Sequence, residues 1–219
     1  MNEVVKDCIK LIVITVIAGL VLGFIYEVTK GPIAAQEEKT QQEAYLTVFP
    51  EAKDFQEVKG FSAAKASKVI AQYAKKNPIE DHAGDQITAA VQAMDASGQP
   101  LGYIFNVTTS KGYGGDIELT VGIKADGTMT GYSVLSINET AGLGMNAKDN
   151  PKWAAQFSNA KVSADDGFTV VKDGTGRLNK GDQGANKIDA ISGATITSKA
   201  VSGAMNSCLA YFQTLEGGN

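Results

Sequence analysis

Small and hydroxyl-bearing side chains follow one another from Asp189 to Ser198, in the run Asp-Ala-Ile-Ser-Gly-Ala-Thr-Ile-Thr-Ser. An amphipathic pattern begins at Thr195, so this run stands directly before a predicted helix. The first turn of a helix offers free N–H groups and the positive end of the helix dipole, which together favour a phosphate. Small residues also let a ligand approach the backbone closely. The hydroxyl of Thr195 is therefore placed where a phosphoryl group would be stabilised.

The same hydroxyl groups have a simpler interpretation, in which Ser192 or Thr195 only caps the helix. Spacing alone does not separate capping from phosphate binding. A P-loop is excluded because the chain has no Gly-Lys-Ser/Thr. The run Gly112-Tyr113-Gly114-Gly115 does not open a helix, which argues against a dinucleotide-binding fold. The single histidine, His82, lies in a polar run. We therefore expect neither a catalytic triad nor a metal site.

The elements that must position this run are predicted to form an α+β domain, an antiparallel sheet with packed helices. Two hairpins are predicted, 87–94 with 101–109 and 117–124 with 128–137, the second around Asp126-Gly127, which suits a tight turn. Helices are predicted at 36–45, 62–76 and 151–157 and from Thr195 to about Leu215, a strand at 168–171, a loop at 77–85 and a frayed tail at 216–219.

An apolar run without charges occupies residues 11–26, and Ile9 and Val28 extend it. The run would form a helix roughly 24 Å long, slightly shorter than the helix of about 20 residues that usually spans a membrane. We predict one uncleaved transmembrane helix over 11–28 rather than a signal peptide, because the apolar run continues too far for a signal core. Lys6 and Lys10 precede the span, which places the N-terminus in the cytoplasm.

The predicted organisation has a cytoplasmic N-terminus (1–10), the transmembrane helix (11–28), a helical membrane-proximal segment (29–80) and a main domain (81–219), with 29–219 forming one extracytoplasmic unit. The net charge of −4 and the single arginine argue against nucleic-acid binding. Two cysteines, Cys8 and Cys208, are too few for an iron–sulfur site or a disulfide framework. We expect both to be buried small residues.

The segment from Asp189 to Thr195 resembles the flavinylation motif Asp-x-x-Ser/Thr-Gly-Ala-Thr of FMN-binding domains. Three further segments, in the family's order, resemble the G subunit of the Rnf complex and, more distantly, the C subunit of the sodium-translocating NADH:quinone oxidoreductase. They are residues 29–34 after the apolar span, residues 112–115, and Glu-Thr-Ala-Gly-Leu-Gly at 139–144 followed by Trp153 and Phe157. The family has Pro where this chain has Ala141, which leaves that loop freer.

The resemblance implies that FMN is attached to Thr195 through a phosphoester. It also implies a cofactor-binding site, composed of Asp189, Ser192, Gly193, Ala194 and Thr197 around the attachment point and of Tyr113, Gly114, Gly115, Glu139, Thr140, Gly142, Leu143 and Gly144 in two loops. Leu143 is expected to pack on the flavin ring, and Tyr113 to stack on it or line the site. Asp189 has two open roles, bridging the backbone near the helix start or recognition by a flavin transferase that works with FAD and magnesium.

The resemblance further implies an electron-transfer flavoprotein subunit of an ion-translocating oxidoreductase complex in the cell membrane, with a ferredoxin:NAD couple. The chain shows no ferredoxin or NAD site, so it is expected to complete no reaction alone and to pass electrons between partner membrane subunits. Two alternatives remain. One is an anchored module that binds flavin or another phosphate ligand non-covalently, and the other is a structural assembly subunit in which the motif is only a helix cap.

Overall fold

A computed structural model of the chain describes residues 3–76 and 84–216. The chain divides into two compact units, Met1–Gln42 and Glu43–Asn219. Most of the predicted loop at 77–85, including His82, lies outside the described residues, as does most of the predicted tail at 216–219.

Helix α1 covers Glu3–Val48, and its part up to Gln42 makes up the N-terminal unit. Consecutive apolar side chains such as Leu11, Ile12 and Val13 are exposed, so the helix is apolar on every side over residues 11–26. It is long and apolar enough to cross a membrane. Pro32 lies inside this helix. The prediction of a separate helix at 36–45 is therefore wrong about where the helix begins. Residues 36–45 belong to the last part of α1.

The C-terminal unit is built on a five-stranded antiparallel sheet whose strands neighbour one another in chain order. The strands are β1 (Asp54–Glu57), β2 (Gln86–Met94), β3 (Pro100–Thr109), β4 (Ile117–Lys124) and β5 (Met129–Ile137). Both predicted hairpins are confirmed. Strand β1 was not predicted, because its four residues form an edge strand and none of them is buried.

The turn between β4 and β5 has the predicted chemistry. Gly127 has φ +83°, a conformation that glycine adopts without strain. Asp126 Oδ1 accepts the N–H of Thr128 at 2.9 Å, which closes the turn. These two residues fix the register of the hairpin that precedes the loop at 139–144.

Helix α6 (Thr195–Glu216) packs on one face of the sheet together with α2 (Ala63–Lys76). Val201, Met205 and Cys208 of α6 are fully buried in the main core. Ile104 and Phe105, neighbours on β3, point to opposite faces of the sheet, as the strand period requires. Phe105 joins the main core, whereas Ile104 packs with Phe49 in a second, smaller core. The α+β class is thereby confirmed.

Short elements connect β5 to α6. They are α3 (Asn146–Asp149), α4 (Pro151–Ala154) continued by a 3-10 turn (Ala155–Phe157), β6 (Thr169–Val171), α5 (Arg177–Lys180) followed by a 3-10 turn (Gly181–Gly184), and β7 (Lys187–Asp189). The predicted helix at 151–157 and the strand at 168–171 are confirmed within a residue. Strands β6 and β7 pair in parallel, which was not predicted.

Burial makes the Cys208 thiol unreactive. Its pKa is raised by desolvation and then by the nearby Asp85 carboxylate, so little thiolate forms at pH 8. Cys8, in contrast, is exposed, and its predicted burial is wrong.

In a Cys8→Ser variant, we expect a thiol reagent at pH 8 to leave Cys208 unmodified until denaturant is added. Modification of the native variant at the rate of a free thiol would contradict this packing.

Candidate functional site

A cleft of about 480 Å³ opens at the start of α6. Its walls come from the turn between β3 and β4, the loop after β5 and the first turn of α6. The lining residues are Tyr113, Glu139, Thr140, Leu143, Gly144, Gly193, Ala194, Thr195, Ile196 and Thr197. Small-molecule sites have volumes of roughly 300–1,000 Å³, so the cleft has the size of a cofactor site.

The first turn of α6 leaves its N–H groups open toward this cleft. The first helical hydrogen bond runs from Ser198 N–H to the Ala194 carbonyl at 3.0 Å. Among the hydrogen bonds between described residues, none uses the N–H groups of Thr195, Ile196 or Thr197. Three free donors at the positive end of a 22-residue helix form a site for an anion such as a phosphate.

The turn before α6 is held by Ser198, one turn into the helix. Its buried hydroxyl accepts the Ile191 N–H at 2.9 Å and donates to the Ala194 carbonyl at 2.9 Å. In the same part of the chain, no hydrogen bond involves the hydroxyl of Ser192 or Thr195. The two hydroxyls considered as helix caps therefore make no capping bond, and Thr195 is a partly exposed residue that lines the cleft.

Glu139 is a buried carboxylate below the cleft. Its Oε1 accepts the Gly114 N–H at 3.2 Å, which ties the turn at 112–115 to the loop after β5. A Cβ added at Gly144 would lie 2.3 Å from Glu139 Oε2 and 2.7 Å from Thr197 Oγ1. The loop after β5 can thus approach the start of α6 only because residue 144 has no side chain.

Exposed apolar side chains form the rim of the cleft. In the described part of the C-terminal unit, five large apolar side chains are exposed: Leu46, Tyr113, Leu143, Leu178 and Ile196. Three of them line the cleft, with exposed fractions of 73% for Tyr113, 42% for Leu143 and 53% for Ile196. Apolar groups gathered at one polar cleft favour a ligand with a flat apolar part and a polar end.

Gly193 and Leu143 bring the two walls into contact. Gly193 has φ +75°, and a Cβ there would lie 3.0 Å from Leu143 Cδ2. Glycine is therefore required at this position by both the backbone and the space. The contact places Leu143 directly beside the turn that presents Thr195.

The structure gathers nine of the predicted site residues in one cleft: Tyr113, Glu139, Thr140, Leu143, Gly144, Gly193, Ala194, Thr195 and Thr197. Five others do not line it: Gly114, Gly115, Gly142, Ser192 and Asp189. The Gly114 N–H donates to Glu139, which lines the cleft. The Gly142 carbonyl accepts a hydrogen bond from Asn146 Nδ2 at 2.9 Å. Asp189 is buried, and its carboxylate accepts backbone N–H groups of residues 176 and 179 instead.

Ile196 lines the cleft but was not predicted. The signal that indicates it is its place in the amphipathic pattern of α6. Its neighbours Thr197 and Ser198 are buried, whereas Ile196 points away from the core although it is apolar. An exposed isoleucine on the first turn of α6, next to Thr195, indicates a ligand contact.

Comparison with known proteins locates this cleft within a recognised domain. A family model described as "FMN-binding domain" matches residues 112–210, a range that contains every lining residue. The G subunit of the Na(+)-translocating ferredoxin:NAD(+) oxidoreductase complex of Acetobacterium woodii is 33% identical over 94% of this chain and 89% of its own length. The G subunit of the ion-translocating oxidoreductase complex of Methanosarcina acetivorans is 31% identical, over 99% and 98%. The crystal structure of Shewanella oneidensis NqrC is similar over 61% of this chain and 60% of that chain, with 24% sequence identity and a TM-score of 0.46.

Gly144 offers a test of the cleft's packing. Gly144→Ala should lower the free energy of unfolding by about 3 kcal/mol, because the new methyl group meets the buried Glu139 side chain. Gly142→Ala is the matched control in the same loop. It has open space at its Cβ and φ +75°, so only backbone strain of about 1 kcal/mol is expected. Urea unfolding of the full chain, followed by circular dichroism, measures both. Equal losses for the two variants would contradict the described contact.

Proposed function

Because this chain belongs to the family of the G subunits of ion-translocating ferredoxin:NAD(+) oxidoreductase complexes, we propose that it carries FMN as a phosphoester on Thr195 and passes electrons between partner membrane subunits of such a complex. Membership in the family and the FMN-binding domain make the chain an electron-transfer subunit. The covalent bond, the flavin transferase that forms it and the orientation in the membrane are the parts that we add.

The observation that carries the proposal is the position of Thr195. Its hydroxyl is partly exposed, makes no hydrogen bond among the described residues and lies on the first turn of α6. The open N–H groups of Thr195, Ile196 and Thr197 surround the place that a phosphate esterified there would occupy. A phosphodiester keeps one negative charge, and the helix N-terminus stabilises that charge without requiring a cationic side chain.

Attachment requires an activated flavin nucleotide. In the proposed maturation step, Thr195 Oγ1 bonds to the FMN-side phosphorus of FAD while the pyrophosphate bond breaks. AMP leaves, and the hydroxyl proton passes to a base of the transferase, so no oxidant or reductant is consumed. A magnesium ion bound by the transferase would neutralise negative charge on the departing AMP.

The cleft residues would hold the flavin by its two ends. The first turn of α6 binds the phosphate, while Tyr113, Leu143 and Ile196 provide apolar contacts for the ring. When bound, FMN supplies the electron-accepting group that the polypeptide lacks. Glu139 holds the turn at 112–115 against the loop after β5, and thereby keeps Tyr113 at the rim.

The N-terminal helix would anchor the flavoprotein domain outside the cytoplasm. Helix α1 is long and apolar enough to span a membrane, and Lys6 and Lys10 stand near its N-terminus. We infer a single-pass anchor with a cytoplasmic N-terminus, on the positive-inside rule. A covalent bond is then useful, since a cofactor held by contacts alone would be lost to the surrounding medium.

The attachment is tested by replacing the hydroxyl. Wild-type chain produced together with a flavin transferase should gain the mass of one FMN minus one water on the peptide that contains Thr195. Thr195→Val keeps the shape of the side chain but has no hydroxyl, so this gain should be lost completely. Thr195→Ser keeps a hydroxyl and should retain part of the labelling. Mass spectrometry of the intact chain and of its peptides measures each outcome.

Thr47→Val serves as the control, because Thr47 is an exposed threonine outside the cleft. It should be labelled like the wild type. Acid precipitation separates the remaining possibilities. Yellow colour that leaves the wild-type precipitate indicates a non-covalent flavin module, and wild-type chain without flavin absorbance indicates a structural role in assembly. Either result would refute the phosphoester.

The orientation is tested with engineered thiols in a Cys8→Ser background, in which Cys208 is protected by burial. Ser97→Cys, in the exposed turn between β2 and β3, should react with a membrane-impermeant maleimide on intact spheroplasts. Glu3→Cys should react only after the membrane is permeabilised. The reverse pattern would place the domain in the cytoplasm and contradict the proposed orientation.

A further inference from the structure

The first residue of the attachment motif, Asp189, points away from the cleft. It is only 5% exposed and does not line the cleft. Its Oδ1 accepts the Gly176 N–H at 3.1 Å, and its Oδ2 accepts the Asn179 N–H at 3.3 Å. Both donors belong to the start of α5, so the carboxylate caps that short helix. The motif is thus bonded to the segment 172–186, which we call the brace loop.

The backbone of Asp189 is held just as firmly. Its N–H donates to Gln156 Oε1 at 2.8 Å, and its carbonyl accepts the Trp153 Nε1–H at 2.7 Å. Gln156 Oε1 also accepts the Leu178 N–H at 3.0 Å. One glutamine therefore binds the brace loop and the motif at the same time, and the residues at 153–156 support both.

Gly176 packs so closely against Asp189 that a side chain at position 176 cannot be accommodated. A Cβ at Gly176 would lie 2.5 Å from Asp189 N and 2.7 Å from both Cγ and Oδ2. The carboxylate is consequently covered by the brace loop and has both oxygens engaged. A second protein cannot reach it while this loop is in place.

The attachment turn begins directly after this anchored residue. The Ala190 N–H donates to the Val171 carbonyl at 2.8 Å, and the turn at 191–194 then leads into α6. The position of Thr195 therefore depends on where the end of β7 is fixed. The Asp189 carboxylate ties that end of β7 to the brace loop.

We propose that Asp189 is a positioning residue, through which the brace loop at 172–186 sets the placement of the attachment turn and hence of the flavin in the finished protein. The inference rests on the proposed attachment of FMN to Thr195. It assigns to the motif's aspartate a role in the folded protein that involves no contact with FMN.

Substituting Asp189 alone would change both its hydrogen bonds to the brace loop and the motif that a transferase recognises. The principal variant is therefore Gly176→Ala. The new methyl group would meet both the carboxylate and the backbone N of Asp189, so the substitution displaces Asp189 while the sequence of residues 189–195 stays unaltered. Gln183→Ala is the control, because Gln183 lies in the same loop, is exposed and makes no side-chain hydrogen bond among the described residues. Both variants, as full chains produced with a flavin transferase, are compared with the wild type.

In flavinylated Gly176→Ala we expect a lower fluorescence anisotropy of the flavin and a shifted flavin reduction potential. Exchange of the hydrogen-bonded amides of Ala190, Ile191 and Ala194 should be about tenfold faster, the factor that loss of one hydrogen bond to a charged group gives. Gln183→Ala should match the wild type in all three. If Gly176→Ala matches the wild type as well, the positioning role is overturned.

Asp189→Asn keeps the side-chain volume and is the second variant, in case Gly176→Ala does not fold. It is measured by amide exchange in chain produced without a transferase. Faster exchange at Ala190, Ile191 and Ala194 supports the brace, and unchanged exchange overturns it. A wild-type chain that never acquires flavin, but whose unmodified variants show faster exchange, would refute the phosphoester and leave the brace standing.

Discussion

The beginning of α6 must satisfy two opposite requirements. Most of the helix is buried, and Val201 and Met205 are fully enclosed in the core. The N–H groups of its first turn, however, make no hydrogen bond among the described residues. Unbonded donors are costly when they are buried and cheap when they face a solvent-filled cleft or an anion. The helix can keep them only because a cleft opens at its first residue, and this local constraint determines where a phosphate can be held.

The loops around the cleft are organised by close contacts to residues without side chains. Gly144 lies against Glu139 and Thr197, and Gly193 lies against Leu143, so a side chain would not fit at either glycine. These contacts join segments that are far apart in sequence, so the cleft exists only in the folded sheet. The residues that line the cleft are therefore held by the same hydrogen bonds that hold the loops.

Much of the fold was predictable where local chemistry determines structure. Asp126-Gly127 specifies its turn, and the apolar spacing from Val201 onward predicts helix α6. The predicted single buried face is wrong, because residues 200–212 are all buried. Strands β6 and β7 were harder to predict, because three-residue strands carry no periodicity and their parallel pairing depends on contacts made elsewhere. In the cleft, Thr195 was found through the motif. The direction of the Asp189 side chain could not be read from the motif, because the partners of that side chain are backbone N–H groups.

The hydrogen bond between Trp153 Nε1 and the Asp189 carbonyl has a practical consequence. Trp153 is the only tryptophan of the chain, and it is almost completely buried. Its indole is therefore a single intrinsic donor for resonance energy transfer, rigidly mounted on the segment that precedes Thr195. A yellow chromophore at the cleft would quench indole emission with an efficiency that falls steeply with separation. Energy transfer from Trp153 to a flavin in the cleft would therefore report the distance between the two without an introduced dye.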